Sequence, residues 1–185
     1  MYTPTAMPNL SFGNVTARTP IIQGGMGIGI SGARLAAAVA NEGGVGVISA
    51  ICLGMRTPEA RSDYAQANKN ALIEEIRTAR RNTSGVLGVN IMVACTDFDS
   101  LILGAIEEEV DIIFLGAGLP LQFPKELTVE PMRTMHSKLV PIVSSAKAAK
   151  TLLELNQVTV GKDALGTDLE GILIEDGAGN PVVKV

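Results

Sequence analysis

The sequence predicts an α/β fold, a parallel sheet with crossover helices, from three observations. Apolar strand-like runs alternate with helical patterns at about 25 to 30 residues per unit, the spacing of repeated strand–helix units. The runs end in Gly, Ser or Asn, so each strand delivers a bare or polar backbone to the edge where α/β folds gather ligands. Aromatics are scarce, with two Tyr, four Phe and no Trp, which leaves small aliphatic side chains to fill the space between strands and helices.

The first unit occupies residues 20–27. Pro20, Ile21 and Ile22 run straight into Gln23, Gly24, Gly25, Met26 and Gly27, which reads as a buried strand ending in a glycine loop. Without side chains there, a flat or anionic ligand can approach main-chain N–H groups. Residues 31–41 are helical in pattern, and residues 43–49 form a second strand bracketed by glycine. A long helix is predicted over 58–81, with Pro58 in its first turn and an apolar stripe through Tyr64, Ala67, Ala71 and Ile76. Residues 86–93 are the third strand and 97–109 the third helix. The fourth strand, 111–115, ends in Gly116, Ala117 and Gly118. After a less regular stretch, residues 139–143 make a fifth strand and 144–155 the helix that follows it. Residues 171–174 read either as a sixth strand or, with the apolar run at 182–185, as one arm of a β-hairpin.

Composition narrows the function. A chain of 185 residues with 46% hydrophobic content can bury the core of one domain. Its net charge of −4, without a basic run, excludes the clustered positive face that nucleic acid requires. No stretch approaches the roughly 18 apolar residues of a membrane span. The start has neither the basic nor the apolar region of a signal peptide, so a cytoplasmic location is expected. Cys52 and Cys95 have no C-x-x-C spacing and are expected to be buried free thiols, and no metal site is predicted.

Gly27, Gly29 and Gly32 satisfy G-x-G-x-x-G after a strand and before a helix, the context of a dinucleotide-binding turn. Such a site also needs an acidic residue at the end of the second strand to hold the ribose. That strand ends in Ser49, Ala50, Ile51 and Cys52, which counts against a nicotinamide Rossmann fold.

The segments 20–27, 43–49, 87–93, 111–120 and 140–150 resemble, in order and spacing, successive strand motifs of the nitronate monooxygenase (2-nitropropane dioxygenase) family, close relatives of FMN-dependent enoyl-acyl carrier protein reductases. The resemblance implies a TIM barrel carrying one FMN at the carboxyl ends of its strands. It places Gln23, Gly24, Gly25 and Met26 against the flavin ring and gives the Asn90 carboxamide a hydrogen bond to it. Gly116, Ala117 and Gly118 fall on the substrate side. Ser144, Ser145 and Lys147 stand where polar flavin or phosphate groups are held, although a helix N-cap and a solvated lysine explain them equally. Glu175 matches the end of strand six only loosely.

The departures from the family are specific. Where the family has a histidine after strand six, acting as base or proton donor, this chain has Asn180, and an amide cannot shuttle a proton near neutral pH. The one histidine, His136, precedes strand five, in a stretch read as helical, and is expected to be structural, so no catalytic residue is assigned. A complete barrel needs about 250 residues; about six units fit here, so the expectation is an incomplete barrel, either a fragment truncated at its C-terminus or one completed by a second copy in a homodimer. The expected activity is FMN-dependent oxidation of an alkyl nitronate. Reduction of an enoyl thioester and a degenerate barrel without catalysis are the alternatives.

Overall fold

The computed structural model describes residues 8–127, 135–156, 174–175 and 181–183. Its first element is a hairpin that the sequence did not reveal: β1 (Leu10–Phe12) pairs antiparallel with β2 (Val15–Ala17), turning through Gly13 at φ 60°. Next, Ile22 makes a single parallel bridge with Val45, where a full first strand was expected. Then follow α1 (Ala33–Asn41), β3 (Gly46–Ser49), two 3-10 turns at Leu53–Arg56 and Pro58–Arg61, and α2 (Tyr64–Asn82). The chain continues through β4 (Leu87–Met92), α3 (Phe98–Glu107), β5 (Ile112–Gly116), β6 (Lys138–Pro141) and α4 (Ala146–Asn156).

The predicted helix over 58–81 starts late. Pro58 opens a 3-10 turn, and α2 begins only after Asp63, whose carboxylate accepts from the Gln66 N–H at 3.0 Å as an N-cap. A short hairpin, β7 (Ile174–Glu175) with β8 (Pro181–Val183), matches the hairpin reading of the tail and forms its own two-stranded sheet. Residues 171–173, and Asn180 with them, lie outside the described residues.

The four strands β3, β4, β5 and β6 are parallel and lie in chain order, with the Ile22 bridge extending the row outside β3. A doubly wound sheet reverses its strand order at the first strand, whereas a barrel wall does not. The two faces agree with a wall. Ile48, Leu87, Val89, Ile91, Ile113 and Leu115 point to one face and form a single core with α1, α2 and α3. Val47, Ile112 and Phe114 point to the other, where the partner is the β1–β2 hairpin and Phe12 meets the Phe114 ring edge-on at 6.3 Å. The fold is part of a (β/α) barrel, with its helices outside and the hairpin plugging the concave side.

At the N-terminal ends of the strands, Asp111 accepts from the Leu87 N–H (2.8 Å) and Arg80 Nη2 (2.6 Å) and meets His136 Nε2 at 3.1 Å. His136 is therefore structural, as expected, but it sits in a bend and not in a helix. Burial pushes the Asp111 carboxyl up, but the Leu87 N–H, Arg80 and His136 together outweigh it and hold the group below its ordinary value of 3.8. A depressed carboxyl stabilises the fold above its unfolded pKa and loses that contribution as pH falls through the folded one. Urea melts at pH 7 and pH 3 are expected to show Asp111→Asn weaker than wild type at pH 7 by on the order of 1–2 kcal/mol, with the gap closing at pH 3. An equal gap at both pH values would remove the carboxylate from this role.

Candidate functional site

Strand alternation sends the Asn90 side chain to the concave face, because its neighbours Val89 and Ile91 are committed to the helix-side core. Two glycines pack close around Asn90. A Cβ at Gly25 would lie 2.5 Å from Asn90 Cβ, and one at Gly116 would lie 3.9 Å from Asn90 Nδ2 and 3.3 Å from Ile142 Cδ1. The Asn90 carboxamide, half-buried, has no hydrogen-bond partner among the described residues. Two donors and an acceptor therefore stand unused between two glycines at the carboxyl ends of the strands. Gly25 and Asn90 are residues that the resemblance puts at the flavin, and Gly116 is one that it puts on the substrate side.

The glycine loop ahead of α1 is held by two side chains. In the parallel ladder, the Val45 N–H donates to Ile21 O (2.9 Å) and the Gln23 N–H to Val45 O (3.0 Å). The next rung, from the Val47 N–H, goes to Gln23 Oε1 at 3.0 Å. A side chain thus carries the ladder on while the main chain leaves the sheet, which is why the expected strand shrinks to one bridge. Gln23 Nε2 donates to Gly24 O (2.6 Å) and to Ser31 Oγ (2.8 Å). Ser31, fully buried, donates to Gly24 O (3.0 Å) and accepts from the Met26 N–H (2.9 Å). Met26 itself is exposed.

The remaining predicted residues are placed as follows. Gly116 is buried at the end of β5, and Ala117 (φ 54°) and Gly118 (φ 143°) turn the chain away in left-handed conformations. Ser145 caps α4, its Oγ accepting from the Ala148 N–H at 3.2 Å, while Ser144 and Lys147 are exposed in the same turn. Ile142, two residues before Ser144, packs on Gly116, so this turn follows the strand that borders the rim. Glu175 lies in the separate β7–β8 sheet, so it is not brought to the parallel sheet with the others.

Sequence reasoning missed the network behind the rim. Asn68 on α2, 1% exposed, donates to Ala50 O (3.3 Å) and Asp97 Oδ2 (2.6 Å) and accepts from the Gly54 N–H (2.9 Å). It joins the loop after β3 to the loop after β4. Beside it, the Tyr64 hydroxyl donates to Cys52 Sγ at 3.3 Å. That bond first, then burial and the nearby Cys52, Asp97 and Cys95, raise the Tyr64 pKa, so the phenol stays protonated. Burial first, then Asp97 and Cys52, push the Cys95 thiol up as well. Both cysteines are free, as expected, but half-buried. A single polar residue on a helix stripe has no distinguishing signal in one sequence, and only the contact to Asp97 reveals it.

Among the described residues, no group of His, Cys, Asp and Glu is arranged to hold a metal, and no helix is long and apolar enough to cross a membrane. A cleft lined by Thr16, Arg18, Asn41 and Gly43 lies at the N-terminal ends of the strands and shares no residue with the Asn90 rim.

The nitronate monooxygenase family model matches residues 10–102, half of the chain, including Gln23 to Met26 and Asn90. The chain belongs to the nitronate monooxygenase family. Among solved structures it is similar to FabK from Thermotoga maritima, at 29% identity and a TM-score of 0.57 over 75% of this chain and 38% of that one. A mutant of the same FabK gives 28% identity and a TM-score of 0.58, with 75% and 40% covered. Nitroalkane oxidase from Streptomyces ansochromogenes, at 18% identity and a TM-score of 0.58, shares the fold over 75% of this chain and 44% of that one. The chain thus spans less than half the length of these structures. No curated protein matches it.

The family member's rim fits a flat ring with a polar edge. Gly24 has open space where a Cβ would stand, Gly25 and Gly116 let the main chain come close to Asn90, and the free carboxamide supplies a donor and an acceptor of its own.

Proposed function

We propose that this chain is the FMN-binding part of an oxidoreductase of the nitronate monooxygenase type, which oxidises an alkyl nitronate with O2 to a carbonyl compound and nitrite. The unpartnered Asn90 carboxamide between Gly25 and Gly116 is the observation that carries the reading, and family membership supports it. When bound, FMN supplies the electron transfer. In this reading Asn90 hydrogen-bonds the ring's polar edge, and the Gly24–Gly25 and Gly116 backbones admit its faces. Ser144, exposed Lys147 and the Ser145 turn take the polar end of the cofactor. His136 is spent on Asp111 at the N-terminal ends of the strands, and the chain's proton-transfer residue is unassigned.

Enoyl thioester reduction is the second reading, favoured by the higher identity to FabK. Nitronate-dependent oxygen uptake against enoyl-dependent nicotinamide oxidation separates the two. Binding comes first: the purified chain is expected to take up FMN and turn yellow, and Asn90→Ala to weaken retention by on the order of 1–3 kcal/mol. A colourless protein that takes up no added FMN would sink the flavin assignment, and unchanged affinity in Asn90→Ala would remove Asn90 from the site.

A further inference from the structure

We infer that Ser31 and Gln23 are the positioning pair for the flavin, holding the loop 24–30 so that Gly25 lies flat on Asn90. The inference rests on the flavin reading above and concerns two side chains whose polar atoms are bonded to the loop, to each other and to the next strand. Among the described residues, every hydrogen bond to the loop 24–30 ends on one of these two: Gln23 Nε2 to Gly24 O, Ser31 Oγ to Gly24 O, the Met26 N–H to Ser31 Oγ, and the Ser31 N–H to Met26 O at 3.0 Å. Both anchors are in turn fastened to the next strand. The Val47 N–H donates to Gln23 Oε1, and the Ser49 N–H donates to Ser31 O at 2.9 Å.

Apart from these bonds, the loop packs through Gly25 on Asn90 and Gly27 on Ile51. Gly24, Met26, Ile28, Gly29 and Ile30 are exposed, and apolar side chains facing water give no restoring force toward one backbone path. The Ser31 hydroxyl has one proton and two lone pairs, and all three are used. Removing it releases the Met26 N–H and one of the two donors on Gly24 O together. Gly25 lies between those two points, in contact with Asn90, so the distance from its backbone to any ring beside Asn90 is set through Ser31 and Gln23.

The experiment compares the full chain with Ser31→Ala and Gln23→Met by FMN titration, followed through quenching of flavin fluorescence, and by hydrogen exchange without FMN. Both variants are expected to raise the FMN dissociation constant by about tenfold, as the loop loses its fixed path. Exchange is expected to accelerate in peptides covering 24–30 while those covering β4 and β5 stay protected, and the visible band of bound FMN is expected to shift. Variants that melt earlier yet bind FMN with wild-type affinity and spectrum would show that the pair merely stabilises the fold and would overturn the inference alone. If Ser31→Ala does not fold, Gln23→Met, at a half-buried position, decides by the same readouts. A wild-type chain that binds no FMN overturns the flavin reading itself.

Discussion

Replacing Gly46 with alanine is expected to leave almost no folded protein. Gly46 opens β3, and a Cβ there would lie 1.8 Å from Ala36 O and 2.6 Å from Ala36 C. Those atoms are backbone of α1, and Ala36 is fully buried, so neither can swing aside as a flexible side chain would. On the other side β3 is fixed in register with β4 from Gly46↔Leu87 to Ser49↔Asn90. Relief requires α1 to lift off the sheet, exposing the core it covers. Gly85 repeats the contact one turn along, with a Cβ 2.4 Å from Ala40 O, so α1 lies on two glycines. The cost is on the order of 4–5 kcal/mol, close to the whole stability of a small domain. Gly24→Ala is the matched control, since nothing lies within 4 Å of its Cβ. Soluble yield and urea melts check the pair; a cooperative Gly46→Ala melt near the wild-type midpoint would refute the packing argument.

Asn68→Leu is expected to cost about 3–4 kcal/mol, although it exchanges a polar side chain for an apolar one of similar volume inside a core. Leucine cannot serve the Gly54 N–H, Ala50 O or Asp97 Oδ2, and Asp97 is itself buried. A buried carboxylate stripped of its donor is the largest part of that loss. Asn68→Asp separates charge from shape, because it keeps the acceptor for Gly54 but faces Asp97 with a second carboxylate. Its deficit is expected to shrink between pH 7 and pH 4, as one carboxyl of the facing pair takes up a proton. Urea midpoints at the two pH values test this, and a pH-independent Asn68→Asp would place the two groups too far apart to couple.

The parallel wall was legible because its strands are continuous apolar runs and its crossovers are helices with one apolar stripe. The β1–β2 hairpin was not, since three residues per strand are too few to display an alternating period. The strand expected at 20–22 shrinks to one bridge for a different reason: nothing in the sequence tells that the Gln23 side chain replaces a main-chain acceptor. Pro58 was taken as a helix start because proline suits a first turn equally in a 3-10 and an α-helix. At the rim, the glycine loops were readable from strand-end chemistry and Asn90 from the family resemblance, and the structure brings Gly25, Asn90 and Gly116 together. Ser31 and Asn68, which hold the loops around them, were not, since a buried hydroxyl or amide is defined by partners far away in the chain.

The hairpin beneath the sheet also gives the concave side a floor. Phe114, level with Asn90 in the strand register, leans over Gly88 and rests on Phe12, so the concave side is floored with aromatic rings one step below the rim. A ring lodged beside Asn90 on that face would rest on these side chains rather than on open solvent.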